Sequence, residues 1–182
     1  MLKYLLLIFL SFLTTESIAN NKENIINNLK NTNNISFEFE QNINQKIEKG
    51  NCIVQYPKKI FCEYVGSNNK VLVSNGKSLV IKTKTSYYRY PLEKTPLNYI
   101  LDKNFLIKKI YNLKEKDLNN SFISFIIKEN DNQINIFFEK ITSNLIGWQT
   151  KDIYQNVSIT LLSSIKKNEI IDENLFKIPL QN

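Results

Sequence analysis

The stretch Gly50–Gly76, GNCIVQYPKKIFCEYVGSNNKVLVSNG, decides how the rest of the chain is read. Ile, Val, Tyr, Phe and Cys fill its runs, and Gly, Pro, Asn and Lys bound them, which is the pattern of short strands joined by tight turns. It reads as a strand, a turn at Tyr56-Pro57-Lys58-Lys59, a returning strand, a loop, and a third strand ending in Ser74-Asn75-Gly76. Both cysteines, Cys52 and Cys62, lie in this hairpin, one on each arm. A register that sets them directly opposite also turns them to the same face; a register one residue off leaves them diagonal and harder to bridge.

Outward from the hairpin, Ile35–Gln41 alternates as a half-buried strand should: Ile35, Phe37 and Phe39 face one way, Ser36, Glu38 and Glu40 the other. Asn42–Gln45 reads as a turn into the strand that begins at Lys46. Asn20–Lys30 predicts a first helix, with Ile25, Ile26 and Leu29 on a narrow apolar face. Beyond Gly76, strands are predicted at Ser78–Lys82 and Ser86–Tyr90. Thr95-Pro96 is a helix-start signal, Thr as N-cap and Pro at the first helical position, followed by an apolar face of Leu97, Ile100 and Leu101. A further short helix is expected at Asn104–Ile107. Strand periodicity then returns at Ile110–Lys114, Phe122–Lys128, Ile134–Glu139, Ile146–Lys151 and Val157–Leu162, and Leu175–Pro179 closes the chain. So many short strands imply one large, curled antiparallel sheet. The helices either pack on it as an ordinary core or close over a cavity, and periodicity does not separate the two.

With 182 residues, 42% of them hydrophobic and 23% charged, the chain has the length of one domain and the composition of a globular protein. Its formal net charge is +7, but the lysines are scattered, at positions such as Lys46, Lys70, Lys108, Lys140 and Lys166, and Arg89 is the single arginine. No basic helix or arginine–aromatic cluster follows a phosphate backbone, so the charge reads as a solvated surface and no nucleic-acid partner is expected. Residues 1–19 read as a signal peptide. Lys3 precedes an apolar run, Tyr4–Leu13, that is too short to span a bilayer, and Ser17-Ile18-Ala19 supplies the small residues before a cut at Ala19/Asn20. No cysteine follows that run, so no lipid-anchoring signal is read there, and residues 20–182 are expected to form a single periplasmic or secreted domain. Two cysteines in an exported chain point to one disulfide; the rival reading is two free buried thiols.

Histidine is absent, which excludes Ser-His-Asp and Cys-His catalysis. Two cysteines without histidine make a poor zinc site. Gly50, Gly66, Gly76 and Gly147 are dispersed turn or bulge positions and build no phosphate-cradling loop. A glycosidase-like carboxylate pair needs two acids placed together, whereas Asp102, Asp117, Asp152 and Asp172 are isolated and read as turn or surface residues. No enzyme activity, cofactor or metal is expected.

A set of motifs, in order along nearly all of the chain after residue 19, resembles the periplasmic outer-membrane lipoprotein carriers of the LolA family. Phe39-Glu40-Gln41 resembles an early Phe-x-Gln strand. Tyr56-Pro57-Lys58-Lys59-Ile60-Phe61-Cys62-Glu63-Tyr64 has the spacing of the family hairpin Arg-Pro-x-x-Phe-Arg-Trp-x-Tyr, and Val71–Leu79 resembles Val-Ser-Asp-Gly-Lys-x-Leu. Thr95-Pro96-Leu97 to Leu101 is similar to a helix beginning Thr-Pro, and Trp148–Asp152 with Asn168–Pro179 to the C-terminal part.

The resemblance implies an α+β fold: an open (half) antiparallel β-barrel with a lid of a few α-helices over an apolar cavity. It implies a monomeric carrier that takes acylated lipoproteins from an inner-membrane ABC-type exporter (LolCDE-like) and hands them to an outer-membrane acceptor where one is present. The implied cargo contacts are Phe37, Phe39, Val54, Ile60 and Tyr64 on the sheet and Leu97, Ile100 and Leu101 on the lid. Two positions depart from the family. Tyr56 stands where the family has the arginine that latches the lid, which makes it the latch candidate. Cys62 stands where the family has tryptophan, suggesting that a Cys52–Cys62 disulfide stiffens one cavity wall. The alternatives are a LolB-like acceptor, normally itself a lipoprotein, and another periplasmic lipid-binding or sensor protein of the same fold.

Overall fold

The register of the central hairpin sets what surrounds it. In the computed structural model, which describes residues 21–66, 68–151 and 156–181, strands β2 (Lys46–Gln55) and β3 (Lys59–Tyr64) pair Cys52 with Cys62, Val54 with Ile60 and Gly50 with Tyr64. The two cysteines are joined as a disulfide. Side chains alternate along a strand, so this register buries Cys52, Val54, Ile60 and Cys62 on one face. Tyr56-Pro57-Lys58 makes the turn, with a cis Tyr56–Pro57 peptide and Lys58 at φ 68°.

β1 (Asn34–Ile43) pairs with β2 on one side and with β11 (Val157–Lys167) on the other. From β1 one meander runs through β2, β3, β4 (Val71–Asn75), β5 (Ser78–Lys82) and β6 (Tyr87–Pro91). The other runs from β11 back through β10 (Leu145–Lys151), β9 (Asn132–Glu139) and β8 (Phe122–Glu129) to the short β7 (Lys116–Asp117). β6 and β7 remain edges, so the antiparallel sheet of 11 strands is open. A sheet this wide curls to manage its twist, and three helices serve as its lid: α1 (Asn21–Asn31), α2 (Leu97–Ile100) and α3 (Lys103–Asn112). This is the expected α+β class, an open antiparallel half-barrel under a helical lid.

Several local readings are corrected. The Ile110–Lys114 strand does not exist, because α3 continues to Asn112. Asp102 accepts a hydrogen bond from Phe105 N at 3.0 Å and caps α3, and Leu106 and Ile110, four apart on one face, are fully buried. Thr95 does not cap α2: its hydroxyl turns back to donate to Leu92 O at 2.8 Å. The turn before β2 is only Asn44-Gln45, both with positive φ (49° and 69°), the geometry of a two-residue hairpin loop. Gly50 is not a turn residue either but sits within β2. Glu173–Phe176 forms a 3₁₀ turn capped by Asp172, which buries Phe176. The segment read as a signal peptide and the carboxylate Asp152 lie outside the described residues.

The core concentrates under α1 and α3. Ile25 and Leu29 of α1 join Leu106 and Ile110 of α3 in one apolar cluster with Ile123, Phe125, Ile127, Ile134, Ile136 and Phe138 of β8 and β9. Each such side chain in this half of the fold contributes about 1.5–3 kcal/mol by leaving water. The disulfide staples the other half. Its loop is short, with the cysteines 10 apart, and the chain-entropy model allows it up to about 3 kcal/mol. A C52A/C62A variant is expected to fold but to melt lower, by at most about 10 °C. A calorimetric scan showing no shift would remove the staple.

Candidate functional site

The concave face is filled unevenly. Beneath α2 an apolar cavity of about 260 Å³ remains. Its floor is aromatic. Phe37 stands edge-on to Trp148 with ring centroids 6.4 Å apart, and Phe39 edge-on to Tyr64 at 5.0 Å. Ile60 and the disulfide form one wall, Leu72, Leu79 and Ile81 of β4 and β5 continue it, and Pro96, Leu97 and Ile100 make the roof.

Of the residues singled out in the sequence, Phe37, Phe39, Ile60, Tyr64, Leu97, Ile100 and both cysteines border this cavity. Val54 and Leu101 do not reach it and are buried in the adjoining core, 2% and 1% exposed. Tyr56 lines a separate narrow crevice with Asn28, Leu29 and Thr32 of the α1 end. Sequence reading missed Leu72, Leu79, Ile81 and Trp148. It also missed a polar end to the cavity. Glu48 shares the inward phase of β2 with Cys52 and Val54, and that phase was the available signal.

At that end Glu48, 7% exposed, receives Lys70 Nζ at 2.5 Å and Lys46 Nζ at 3.0 Å. Burial pushes the Glu48 carboxyl up, but the hydrogen bonds and charges of Lys70 and Lys46 together outweigh it and hold the group below the usual carboxylate range. Lys70 Nζ also lies 4.0 Å from the centroid of the Tyr64 ring. Burial, helped by the Glu48 charge, raises the Tyr64 hydroxyl and keeps it protonated. Gln41 Nε2 donates to Ser158 Oγ at 3.2 Å and Thr160 Oγ1 at 3.1 Å. Lys46 and Lys70, read from the sequence as scattered surface charges, therefore converge on one buried acid.

The lid is held by polar contacts at its ends. Lys58 N, in the hairpin turn, donates to Leu101 O at 2.7 Å, and Lys58 Nζ lies 3.6 Å from Asp102 Oδ2. Lys103 Nζ donates to Thr32 O at 2.8 Å and Lys30 O at 3.3 Å, placing a cation at the C-terminus of α1 where the helix dipole favours it. Asn130 Nδ2 donates to Tyr99 Oη at 2.9 Å, tying α2 to the β8–β9 turn. No hydrogen bond from the Tyr56 hydroxyl to the lid is among the described contacts.

A half-barrel with a helical roof over an apolar, aromatic-floored cavity is a lipid- or lipoprotein-binding carrier fold. The chain belongs to the outer membrane lipoprotein carrier protein LolA family, whose model matches residues 30–179. The carrier fold of this family is generally non-enzymatic, and its members are periplasmic. No curated protein matches the chain. Among solved structures, an uncharacterized conserved protein from Thermus thermophilus aligns with a TM-score of 0.53 and 9% identity, over 88% of this chain and 94% of its own. A LolA superfamily protein from Nitrosomonas europaea aligns with a TM-score of 0.42 and 6% identity, over 86% and 97%. Lipoprotein LppX from Mycobacterium tuberculosis aligns with a TM-score of 0.44 and 10% identity, over 84% and 96%. At such identities the likeness is one of fold alone. Among the described residues no helix is long and apolar enough to cross a membrane, and no group of three or more acids or cysteines could hold a metal ion.

Proposed function

We propose that this chain is a periplasmic carrier that shields the acyl chains of lipoproteins released by an inner-membrane ABC-type exporter and delivers them to the outer membrane, through an acceptor where one is present. The observation that carries this reading is the apolar cavity roofed by α2 in a chain of the LolA family. Each CH₂ removed from water is worth about 0.8 kcal/mol, so bare acyl chains do not cross an aqueous compartment unaided. In this reading residues 1–19 direct export and residues 20–182 act as one domain. Phe37, Phe39, Ile60, Tyr64, Leu97 and Ile100 contact the chains, while Val54 and Leu101 support the walls behind them.

The cavity is smaller than the roughly 300–1,000 Å³ that encloses a drug-sized ligand, so loading requires the lid to lift. Tyr56 then latches the lid through its ring, in the crevice it shares with Leu29 at the end of α1, while Lys103 of α3 holds the end of α1 through its charge so that the two lid helices move together. Tyr56→Phe is expected to leave lid opening unchanged and Tyr56→Ala to speed it. Lys103→Met should cost about 1–2 kcal/mol at the α1 terminus. Hydrogen exchange of the α1 amides reads all three; a Tyr56→Phe variant that opens as readily as Tyr56→Ala would show that the hydroxyl, not the ring, is the latch. The carrier reading itself is tested by purifying the protein from the periplasm and identifying what comes with it by native mass spectrometry. Acylated lipoproteins are expected; recovery of free lipid alone would reduce the function to general lipid binding.

A further inference from the structure

We propose that the polar end of the cavity is a subsite for the acceptor oxygens at the root of an acyl chain, a carboxylate or ester carbonyls, and that it sets the direction in which the chain enters. The inference rests on the carrier reading. Along β1 the inward side chains run Phe37, Phe39, Gln41, Ile43. Gly50 of β2 lies opposite Phe39, and Glu48 opposite Gln41; on the other side Gln41 meets Thr160 of β11. One inward step beyond Phe39, the concave face changes from apolar to polar across neighbouring strands at one level. Lys70, just before β4, reaches into the same level.

This end is more than a stray ion pair. The Lys70 side chain is only 17% exposed and borders a cavity that is otherwise mainly apolar. Burying a cation is costly unless it is compensated. Here two lysines share one carboxylate, so the cluster of Lys46, Glu48 and Lys70 carries one net positive charge. An ammonium has three donors. Among the described contacts Glu48 accepts from Lys70 and the Tyr64 ring faces it, which leaves donor capacity for an incoming oxygen. A chain whose head rests at Lys70 extends its methyl end toward Ile60, Trp148 and the α2 roof. Whatever is attached to the head then leaves past Ile43, which is 37% exposed.

The test compares palmitate with methyl palmitate, each displacing a fluorescent C16 chain from the wild-type protein and from Lys70→Met and Lys70→Arg variants. A Lys70→Met/Glu48→Gln variant, which leaves no unmatched buried acid, keeps the comparison readable if Lys70→Met fails to fold. Removing Lys70 is expected to weaken palmitate roughly 10-fold or more, the loss of a charge-assisted hydrogen bond, with recovery in Lys70→Arg. A loss confined to palmitate identifies a carboxylate, and so a free fatty acid, as the preferred head; a parallel loss for methyl palmitate identifies ester oxygens, the form an acylated lipoprotein presents; either supports the subsite. Unchanged affinity of both ligands in every variant overturns the subsite and leaves the carrier reading standing. If the wild type binds neither, both fall together.

Discussion

Replacing Ile60 by glutamate is expected to abolish acyl-chain binding while leaving the half-barrel folded. Ile60 is 2% exposed, lies opposite Val54 in the central hairpin and borders the cavity. A carboxylate there would enter the wall that Ile60 shares with the disulfide and Leu72, two residues along β3 from the Cys62–Leu72 pair. An unpaired charge in such a place costs several kcal/mol or takes up a proton. In the empty protein, water drawn into the cavity relieves part of that cost; with an acyl chain seated, nothing does. The penalty therefore falls on the bound state, and a loss of roughly 100-fold or more in affinity follows. Circular dichroism establishes the fold and lipoprotein transfer between membranes establishes the function. A folded Ile60→Glu protein that transfers normally would show that this face is ordinary core, and would remove the residue-level support for the carrier reading.

The largest effect on stability is expected from a single methyl group, in Gly50→Ala. A Cβ at this position would lie 2.0 Å from Glu63 O and 2.8 Å from Phe39 Cε1. The first of these is backbone of the neighbouring strand, which cannot swing aside as a side-chain end can. Relief of the first contact requires β2 and β3 to part near the Gly50–Tyr64 pair, and relief of the second requires Phe39 to shift in its edge-on contact with Tyr64. Overpacking of this kind costs about 1–3 kcal/mol and sometimes more, which lowers the melting temperature by roughly 2–10 °C in a chain of this size. Since both routes disturb the cavity floor, acyl affinity should fall along with stability. An unchanged melting temperature would mean that the two strands are not held as closely as the structure has them.

Local chemistry made much of the fold readable. Alternation with a period of two assigned the faces of β1, β2 and β3, and with them the inward turn of Phe37, Phe39, Cys52 and Ile60. Two cysteines on the arms of one hairpin led to the disulfide. The stripe of Ile25, Ile26 and Leu29 marked the buried face of α1. The failures were also local: the 3.6-residue spacing of Leu106 and Ile110 was divided between a short helix and a strand, because the Asp102 cap was read only as a turn.

Which side chains turn inward follows from local pattern, since it depends on neighbours one to four residues away. What lies opposite them was decided by the tertiary structure. Phe37 and Phe39 follow the same alternation as Phe125 and Phe138, yet the first pair floors a cavity and the second is sealed in core. The difference is the cover. The α1–α3 pair settles on β8 and β9, while the single turn of α2 stands over β1 to β5 without filling the space beneath it. The polar end of the cavity and the lid anchors arise in the same way. Lys70 meets Glu48 from 22 residues away, and Lys103 meets Thr32 from 71. Periodicity carries no information about such meetings, because they follow from where the curled sheet brings distant segments together.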